Sequence, residues 1–399
     1  MHAEKGRGSP ANAKPLQAAR TWLGEQGAAI LDEQIEVARV PAPPFQENVR
    51  AELIAGKLAS FGMDAVFDEI GNLLAWFPTG SCAHERSPVI VATHVDTVFG
   101  PEIPIEIRAI GERWVGPGIT DNARGLAVAL AVLRALIGAG VEPQRPILFA
   151  FTVGEEGSGD LRGVKHLLRG GSAPRAASAF IAVDGSGLRR IIHNALGSLR
   201  FRVTVEGPGG HSWTDWGRAN PAVAIGEFIH RISELNLPRE PRTTLTVARL
   251  GGGTSINAIP VEAWLELDLR SVSDETLHST EQRIREALAA SLAAERERGQ
   301  GTLSVEWQLI GQRPAGSLPA SHPLVQAADE ATRILGEEPE HAVSSTDANV
   351  PLALGIPAIA VGAGGTAGDT HTLNEWFEDS DGASGALRLL AILASVAGF

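Results

Sequence analysis

Acidic residues and histidines follow several apolar segments of this sequence, and their types suit metal-assisted hydrolysis. His94 and Asp96 come two and four residues after the apolar run 89–92. Residues two apart in an extended segment project from the same side, so both side chains can act on one site. Similar acid or histidine positions recur at later junctions, namely Asp121, Glu155, Glu156, Asp184 and His371. Imidazoles and carboxylates without cysteine favour a pair of divalent ions such as Zn, Co or Mn.

Two such ions that share a bridging carboxylate and a bridging water stabilise both the attacking and the leaving atom of a hydrolysis. The adjacent acids Glu155 and Glu156 suit this chemistry because neighbouring side chains diverge. One of them can bind metal while the other takes the proton of the water and passes it to a leaving amine. A solvated acidic turn is the alternative interpretation of this pair.

A mostly parallel sheet would bring these residues together. The apolar runs Ile147–Thr152 and Ala179–Val183 have the composition of strands buried on both faces, as does the run before His94. Helices predicted at 123–137 and 160–168 alternate with them, which indicates an α/β domain. One long helix is predicted at 15–40, before the prolines at 41–44.

The pattern changes after residue 196. Predicted strands at 199–205, 243–250, 261–269 and 303–309 alternate with amphipathic helices at 221–235 and 274–298. This β-α-β-β-α-β order is that of a ferredoxin-like arrangement. We therefore predict a disordered N-terminus at 1–14, a discontinuous catalytic domain at 15–196 and 314–399, and an inserted α+β domain at 197–313.

Composition limits the partners and the compartment. The chain has 399 residues, 44% of them hydrophobic and 20% charged, and a formal net charge of −13. That charge argues against nucleic acid or an anionic membrane as a partner. Cys82 is the only cysteine, so an intrachain disulfide is impossible. The first residues contain no apolar signal-peptide core and no apolar run reaches membrane-spanning length, so we expect a cytoplasmic protein.

Taken together, the motifs resemble the dinuclear metallohydrolase family of peptidase T, carboxypeptidase G, acetylornithine deacetylase and aminoacylase. In the family's order they are His94-x-Asp96, Asp121-Asn122, Gly154-Glu-Glu156-Gly, Val183-Asp184-Gly, Gly209-Gly-His211-Ser and Asp369-Thr-His371-Thr. The run Gly-Glu-Glu-Gly-x-Gly-Asp-Leu-Arg-Gly at 154–163 is most similar to the peptidase T-like branch.

The resemblance implies a role for each matching residue. Asp121 would bridge two metals, one also held by His94 and Asp184 and the other by Glu156 and His371. Asp96 would orient His94, and Glu155 would be the general base. The inserted domain would act as a lid that pairs two subunits, with His211 reaching across the homodimer to polarise the substrate carbonyl. Asn257 and Arg270 match the family's substrate contacts, and an exposed strand-end arginine is the alternative for Arg270.

These observations predict a hydrolase of an amide-type C–N bond, using Zn first and Mn or Co as alternatives. A short peptide with a free N-terminus is the expected substrate, as for an aminopeptidase. N-acyl or N-carbamoyl amino acids and aromatic amines remain open, since Trp213 and Trp216 beside His211 could support a flat substrate. A non-catalytic binding protein on the same fold is a remote alternative that the presence of Glu155 disfavours. The glycine fingerprint of an NAD-binding sheet is missing from the sequence.

Overall fold

The computed structural model describes residues 13–80, 87–170 and 177–399. The chain forms two compact units, one of Met1–Ala195 with Ser317–Phe399 and one of Leu196–Gly316. The first predicted boundary, between 196 and 197, lies one residue from the first limit of the smaller unit. The second, between 313 and 314, lies three residues from the other limit.

The strands are, in chain order, β1 (Ala65–Phe67), β2 (Leu73–Phe77), β3 (Val89–His94), β4 (Arg108–Ile110), β5 (Arg113–Val115), β6 (Ile147–Thr152), β7 (Ala179–Val183), β8 (Arg190–Ala195), β9 (Gly197–Glu206), β10 (Gly210–His211), β11 (Thr243–Gly252), β12 (Ala258–Ile259), β13 (Glu262–Ser271), β14 (Ser304–Arg313), β15 (Gly316–Ser317), β16 (Glu340–Ser344), β17 (Ala358–Val361), β18 (Thr366–Gly368) and β19 (Trp376–Glu378). The α-helices are α1 (Ala13–Gly24), α2 (Gly27–Ala38), α3 (Asn48–Ser60), α4 (Ala123–Gly138), α5 (Arg162–Arg169), α6 (Pro221–Ser233), α7 (Asp274–Arg298), α8 (Pro323–Ile334), α9 (Asn349–Ala353) and α10 (Ser384–Leu393).

The larger unit is built on a sheet in which β1-β2-β6-β3-β7-β17-β8 are neighbours, with β16 paired to β8. The central strands β6, β3, β7 and β17 are parallel to one another. β2 joins β6 in antiparallel fashion. This arrangement confirms the predicted mostly parallel α/β sheet.

Both faces of the sheet are buried, as the unbroken apolar runs predicted. In β3, Val89 and Val91 pack into the core on one face, together with the nearly fully buried α4. Ile90 and Ala92 pack into a second core on the opposite face, with α5 and α9. Successive side chains of a strand point to opposite faces, so an apolar run without alternation fits this environment.

Several element predictions need correction. The single helix predicted at 15–40 is two helices, α1 and α2, separated at residues 25–26. Gly24 and Gly27 flank the break, and glycine is a poor residue for a helix interior. The predicted disordered N-terminus ran to residue 14, yet Ala13 and Lys14 begin α1. Residues 1–12 and Cys82 lie outside the described residues.

Some strands were not predicted. β8 and β16, which lie at one side of the main sheet, are two of them. β18 and β19 are two more, and they join the predicted strands β5 and β4 in a small separate sheet. β16 is short and mostly exposed or half-buried, so it lacks the apolar run that marks a central strand. The small sheet matters for the site because β19 immediately follows Glu375 and pairs with β5.

The smaller unit has the predicted β-α-β-β-α-β order, with strands β9, β11, β13 and β14 and helices α6 and α7. Its antiparallel sheet runs β11-β13-β9-β14, which is the ferredoxin-like strand order. Alternate residues of β9 and β13 pack against α6 and α7 in one core. Both helices begin at side-chain caps, from Asn220 and Ser273.

No helix in the parts of the chain that the structure describes is both long enough and apolar enough to cross a bilayer.

The central position of β6 makes a prediction about stability. Phe149 of β6 is 1% exposed, whereas Phe67 of β1 is 48% exposed. Phe149→Ala should lower the free energy of unfolding by about 3–5 kcal/mol, because it removes a buried ring from a close-packed core. The matched control Phe67→Ala should lower it by less than about 1 kcal/mol. Urea unfolding followed by circular dichroism checks both, and equal losses would contradict the assigned core.

Candidate metal centre

The ends of three neighbouring strands bring four of the predicted site residues to one edge of the main sheet. His94 ends β3, Glu155 and Glu156 follow β6 by three and four residues, and Asp184 follows β7 directly. β3 is paired in parallel with β6 on one side and β7 on the other. The carboxyl ends of parallel strands meet at the same edge, so their following residues converge there.

All the predicted metal ligands lie in one cluster. His94 Nε2 is 3.0 Å from Asp121 Oδ1 and 3.6 Å from Asp184 Oδ1. His371 Nε2 is 3.1 Å from Asp121 Oδ2 and 3.2 Å from Glu156 Oε1. Asp121 therefore presents one oxygen to each imidazole, with Asp184 on one side and Glu156 on the other.

The donor set fits divalent cations. Ligand atoms of His94, Asp121 and Glu156 lie within 4.8 Å of one another. Asp121 Oδ1 is buried and accepts no hydrogen bond, although His94 Nε2 is 3.0 Å away. Within the described part of the chain, the ion pairs of Asp121, Asp184 and Glu156 are all with histidines, and none is with Lys or Arg. A group of carboxylates and imidazoles that has no Lys or Arg paired with it is typical of a metal site.

The pKa values of residues in the cluster also indicate that it favours bound positive charge. Hydrogen bonds with Asp121 and Glu156 raise the pKa of His371 to about 10, although partial burial opposes this. Burial disfavours a charged His94, yet the neighbouring carboxylates of Asp121, Asp184 and Asp96 raise its pKa well above the usual range. Burial raises the pKa of Glu156. Divalent ions would compete with these protons for the same nitrogen and oxygen atoms.

Asp96 contacts both His94 and the glutamate pair. His94 Nδ1 lies 3.0 Å from the backbone carbonyl oxygen of Asp96 and 3.7 Å from its carboxylate. An Nδ1–H donated to that carbonyl leaves the Nε2 lone pair for a metal. The Asp96 carboxylate instead accepts backbone N–H groups from Glu155 at 3.0 Å and from Glu156 at 2.8 Å. This buried carboxylate therefore fixes the turn that carries both glutamates.

Glu155 and His371 have contrasting environments. Glu155 is 5% exposed, at the same turn as the candidate ligand Glu156. His371 is half-exposed, and its φ of +66° lies in the left-handed region. A non-glycine residue held there costs on the order of 1–3 kcal/mol, and such residues cluster at functional sites.

Two buried acids beside the cluster were not predicted from the sequence. Glu375 accepts hydrogen bonds from the backbone of the loop that carries Asp121, and burial raises its pKa to about 7 despite them. Asp347 accepts a hydrogen bond from Thr152 at the end of β6, and burial raises its pKa to about 6. Neither acid follows an apolar run, so strand-end patterning gives no signal for them.

Two candidates of the smaller unit lie together. His211 in β10 is paired with Ala258 of β12, and the Asn257 carbonyl accepts the backbone N–H of Ser212. His211 Nδ1 accepts backbone N–H groups from Trp213 at 3.2 Å and Thr214 at 3.4 Å. The neutral ring therefore carries its proton on Nε2, where it can donate to an oxygen.

Arg270 is not part of that group. It lies in β13 eight residues after Glu262, which is roughly 26 Å along an extended strand. Its Nε donates to Asp268 Oδ2 at 2.7 Å. Within the smaller unit, Arg270 therefore stands apart from His211 and Asn257.

The two indoles beside His211 are open to solvent within this chain. Trp213 is 85% exposed and Trp216 is 87% exposed. Trp216 also lines a cavity of about 280 Å³ together with Val223, Ile259 and Arg298.

Comparison with known proteins places this geometry in a family. The model of peptidase family M20/M25/M40 matches residues 90–395. A succinyl-diaminopimelate desuccinylase from Corynebacterium glutamicum is 26% identical over 336 residues, which span 82% of this chain and 85% of that protein. A probable carboxypeptidase from Aspergillus oryzae is 28% identical over 205 residues. That match covers 46% of this chain and about half of the fungal protein, 48%.

Solved structures share the fold over nearly the whole chain. The aminopeptidase PepT from Bacillus cereus superposes with a TM-score of 0.75 at 23% identity, covering 93% of this chain and 99% of that one. A dinuclear metal-binding peptidase of family M20 from Bacillus subtilis superposes with a TM-score of 0.66 at 18% identity, covering 95% and 99%. Since the family model covers more than half of the sequence, this chain belongs to peptidase family M20/M25/M40 and is a hydrolase of C–N bonds.

Proposed function

We propose that this protein is an aminopeptidase that hydrolyses small peptides with a free N-terminus by means of two divalent metal ions. The observation that carries the proposal is the cluster in which Asp121 presents one oxygen to His94 and the other to His371. A carboxylate between two imidazoles, each with a further acid beside it, is the arrangement that a bridged pair of ions needs.

In this proposal His94 and Asp184 would hold one ion, Glu156 and His371 would hold the other, and Asp121 would contribute an oxygen to each. Zn suits two nitrogen and several oxygen donors, and Mn or Co are the alternatives. When bound, such ions supply Lewis acidity, which lowers the pKa of water and polarises a carbonyl.

The proton transfers fall to Glu155. Its carboxylate takes a proton from the attacking water as the water oxygen bonds to the carbonyl carbon. It then gives that proton to the amine nitrogen as the C–N bond breaks. Burial of Glu155 and the hydrogen bond from its backbone to Asp96 hold it in place for both transfers.

The inserted unit supplies the remaining groups in the proposal. The Nε2–H of His211 donates to the developing oxyanion of a substrate bound in the other subunit of a homodimer, with Asn257 beside it. Arg270 holds a substrate carboxylate, for which its planar guanidinium is suited. A location in the cytoplasm is consistent with the single cysteine.

The choice of a peptide substrate is supported by the run Gly-Glu-Glu-Gly-x-Gly-Asp-Leu-Arg-Gly at 154–163 and by the superposition on aminopeptidase PepT. The main alternative is an N-acyl or N-carbamoyl amino acid. It is supported by the desuccinylase, which aligns over 82% of this chain. An aromatic amine substrate would instead use the exposed rings of Trp213 and Trp216.

The division of labour between the two glutamates can be tested directly. Glu155→Gln should lower kcat by about 10²- to 10⁴-fold and leave the metal content per chain unchanged, because it removes the base alone. The matched variant Glu156→Gln should lose metal as well as activity. Metal analysis by mass spectrometry together with steady-state kinetics checks both. A metal-depleted Glu155→Gln protein beside a metal-replete Glu156→Gln protein would reverse the two roles.

Substrate class and metal can be tested in one panel. Chelation should abolish activity and re-addition of Zn, Mn or Co should restore it, because the ligands remain in place. The restored enzyme should cleave di- and tripeptides and leave the same peptides untouched once their N-terminus is acetylated. Preference for N-succinyl or N-carbamoyl amino acids, or for aromatic amides, would favour the alternatives.

The role of His211 across the dimer predicts complementation. Glu155→Gln and His211→Ala should each be nearly inactive alone, since each removes a group that acts in every site. Mixed after dissociation and reassociation, they should regain about a quarter of wild-type activity, because half of the dimers are hybrids with one complete site of two. Mixed protein as inactive as its parents, with hybrid dimers demonstrated, would place His211 in its own subunit's site or in none.

A further inference from the structure

Glu375 is a fully buried acid without a role in the reaction proposed above. It is 0% exposed and lies four residues after His371, just before β19. Its Oε1 accepts the backbone N–H of Thr120 at 2.8 Å and of Asp121 at 3.0 Å. Its Oε2 accepts the N–H of Gly118 at 3.3 Å. One carboxylate thus takes three backbone donors from a single loop.

That loop, residues 116–122, joins β5 to α4 in turn conformations. Its N–H groups lack the ladder that a strand would offer, and unsatisfied buried donors are costly. The Glu375 side chain therefore accepts hydrogen bonds from loop N–H groups, as backbone carbonyls do in a strand or a helix. The Glu375 backbone adds a further contact, since its carbonyl accepts the N–H of Gly116 at 2.8 Å.

The same residue is tied to the segment that carries His371. The backbone N–H of Glu375 donates to the Thr372 carbonyl at 3.1 Å, and the Thr372 N–H donates to the Asp369 carbonyl at 3.1 Å. Two short turns therefore connect the Glu375 carboxylate to His371. The His371 ring in turn contacts the Asp121 carboxylate at 3.1 Å.

We propose that Glu375 is a positioning residue that clamps the loop of Asp121 to the segment of His371 and so fixes the distance between these two candidate ligands. The clamp itself depends only on the contacts around Glu375. Its consequence for metal affinity rests on the proposed function. Metal ligands held by a rigid outer shell bind more tightly than ligands that must be ordered on binding.

Backbone hydrogen exchange tests the clamp independently of activity. Residues 116–122 should exchange at least about tenfold faster in Glu375→Ala than in wild type, in the full chain both as purified and after chelation, because three backbone N–H groups lose their acceptor. Glu375→Gln keeps one acceptor oxygen and should show a smaller increase. The control Glu378→Gln alters a partly exposed acid of β19 that pairs with Arg113, and it should leave the loop unchanged. Amides inside α4 should be unaffected in all three variants.

Competition between a chelator and Zn²⁺ measures the consequence for affinity. Glu375→Ala should bind Zn²⁺ at least about tenfold more weakly than wild type, with Glu375→Gln between them. Unchanged exchange at 116–122 in both Glu375 variants would overturn the clamp while wild-type Zn²⁺ binding still supports the proposed function. Faster exchange in a protein whose wild type binds no Zn²⁺ would uphold the clamp and remove the proposed function. If Glu375→Ala does not fold, the hydrogen exchange and Zn²⁺ affinity of Glu375→Gln decide whether the clamp exists.

Discussion

The concentration of negative charge at one sheet edge is the constraint on which the site depends. Four carboxylates lie close to His94, namely those of Asp96, Asp121, Glu156 and Asp184. The raised pKa values of His94 and His371 indicate that these carboxylates favour positive charge on the imidazoles. Protonation of the two imidazoles balances this negative charge only in part, since a buried oxygen of Asp121 is left without a hydrogen bond. A pair of divalent cations satisfies the same oxygen atoms and nitrogen lone pairs at once. The fold must therefore hold mutually repelling groups close together in the absence of cations, and that requires a rigid support.

Parallel strands provide part of that support. β6, β3 and β7 are packed on both faces, so the backbone positions of their carboxyl ends are fixed by two hydrophobic cores. The candidate ligands lie just beyond the strands, on turns that have no ladder of backbone hydrogen bonds of their own. Two buried carboxylates hold these turns: Asp96 accepts the N–H groups of Glu155 and Glu156, and Glu375 accepts those of Gly118, Thr120 and Asp121. In both cases an acid that is not a candidate ligand uses its carboxylate oxygens to order the backbone next to one.

The smaller unit holds its candidate residues in a different way from the larger unit. Its ferredoxin-like sheet has one face packed against α6 and α7, which form a hydrophobic core with it. His211 and Asn257 lie on short paired segments outside the main strands, where the local hydrogen bonds of His211 set its tautomer. Arg270 lies far along β13 from them. These groups therefore cannot meet one small substrate as a set within this unit alone, which is compatible with the proposed role of His211 in a neighbouring subunit.

The sequence by itself determined the α/β sheet, the ferredoxin-like insertion and the candidate ligands from His94 to His371. Those features follow from local patterns, because buried strands need continuous apolar runs and metal ligands come from a small set of residue types. Short, partly exposed strands such as β16 were missed, since their pattern carries little apolar signal. Only the tertiary structure decided that Asp121 faces both imidazoles, that the Asp96 carboxylate holds the glutamate turn, and that Glu375 clamps a loop more than 250 residues earlier in the chain. Each of these features depends on which group a side chain contacts across the fold, and the spacing of residues along the chain does not encode those contacts.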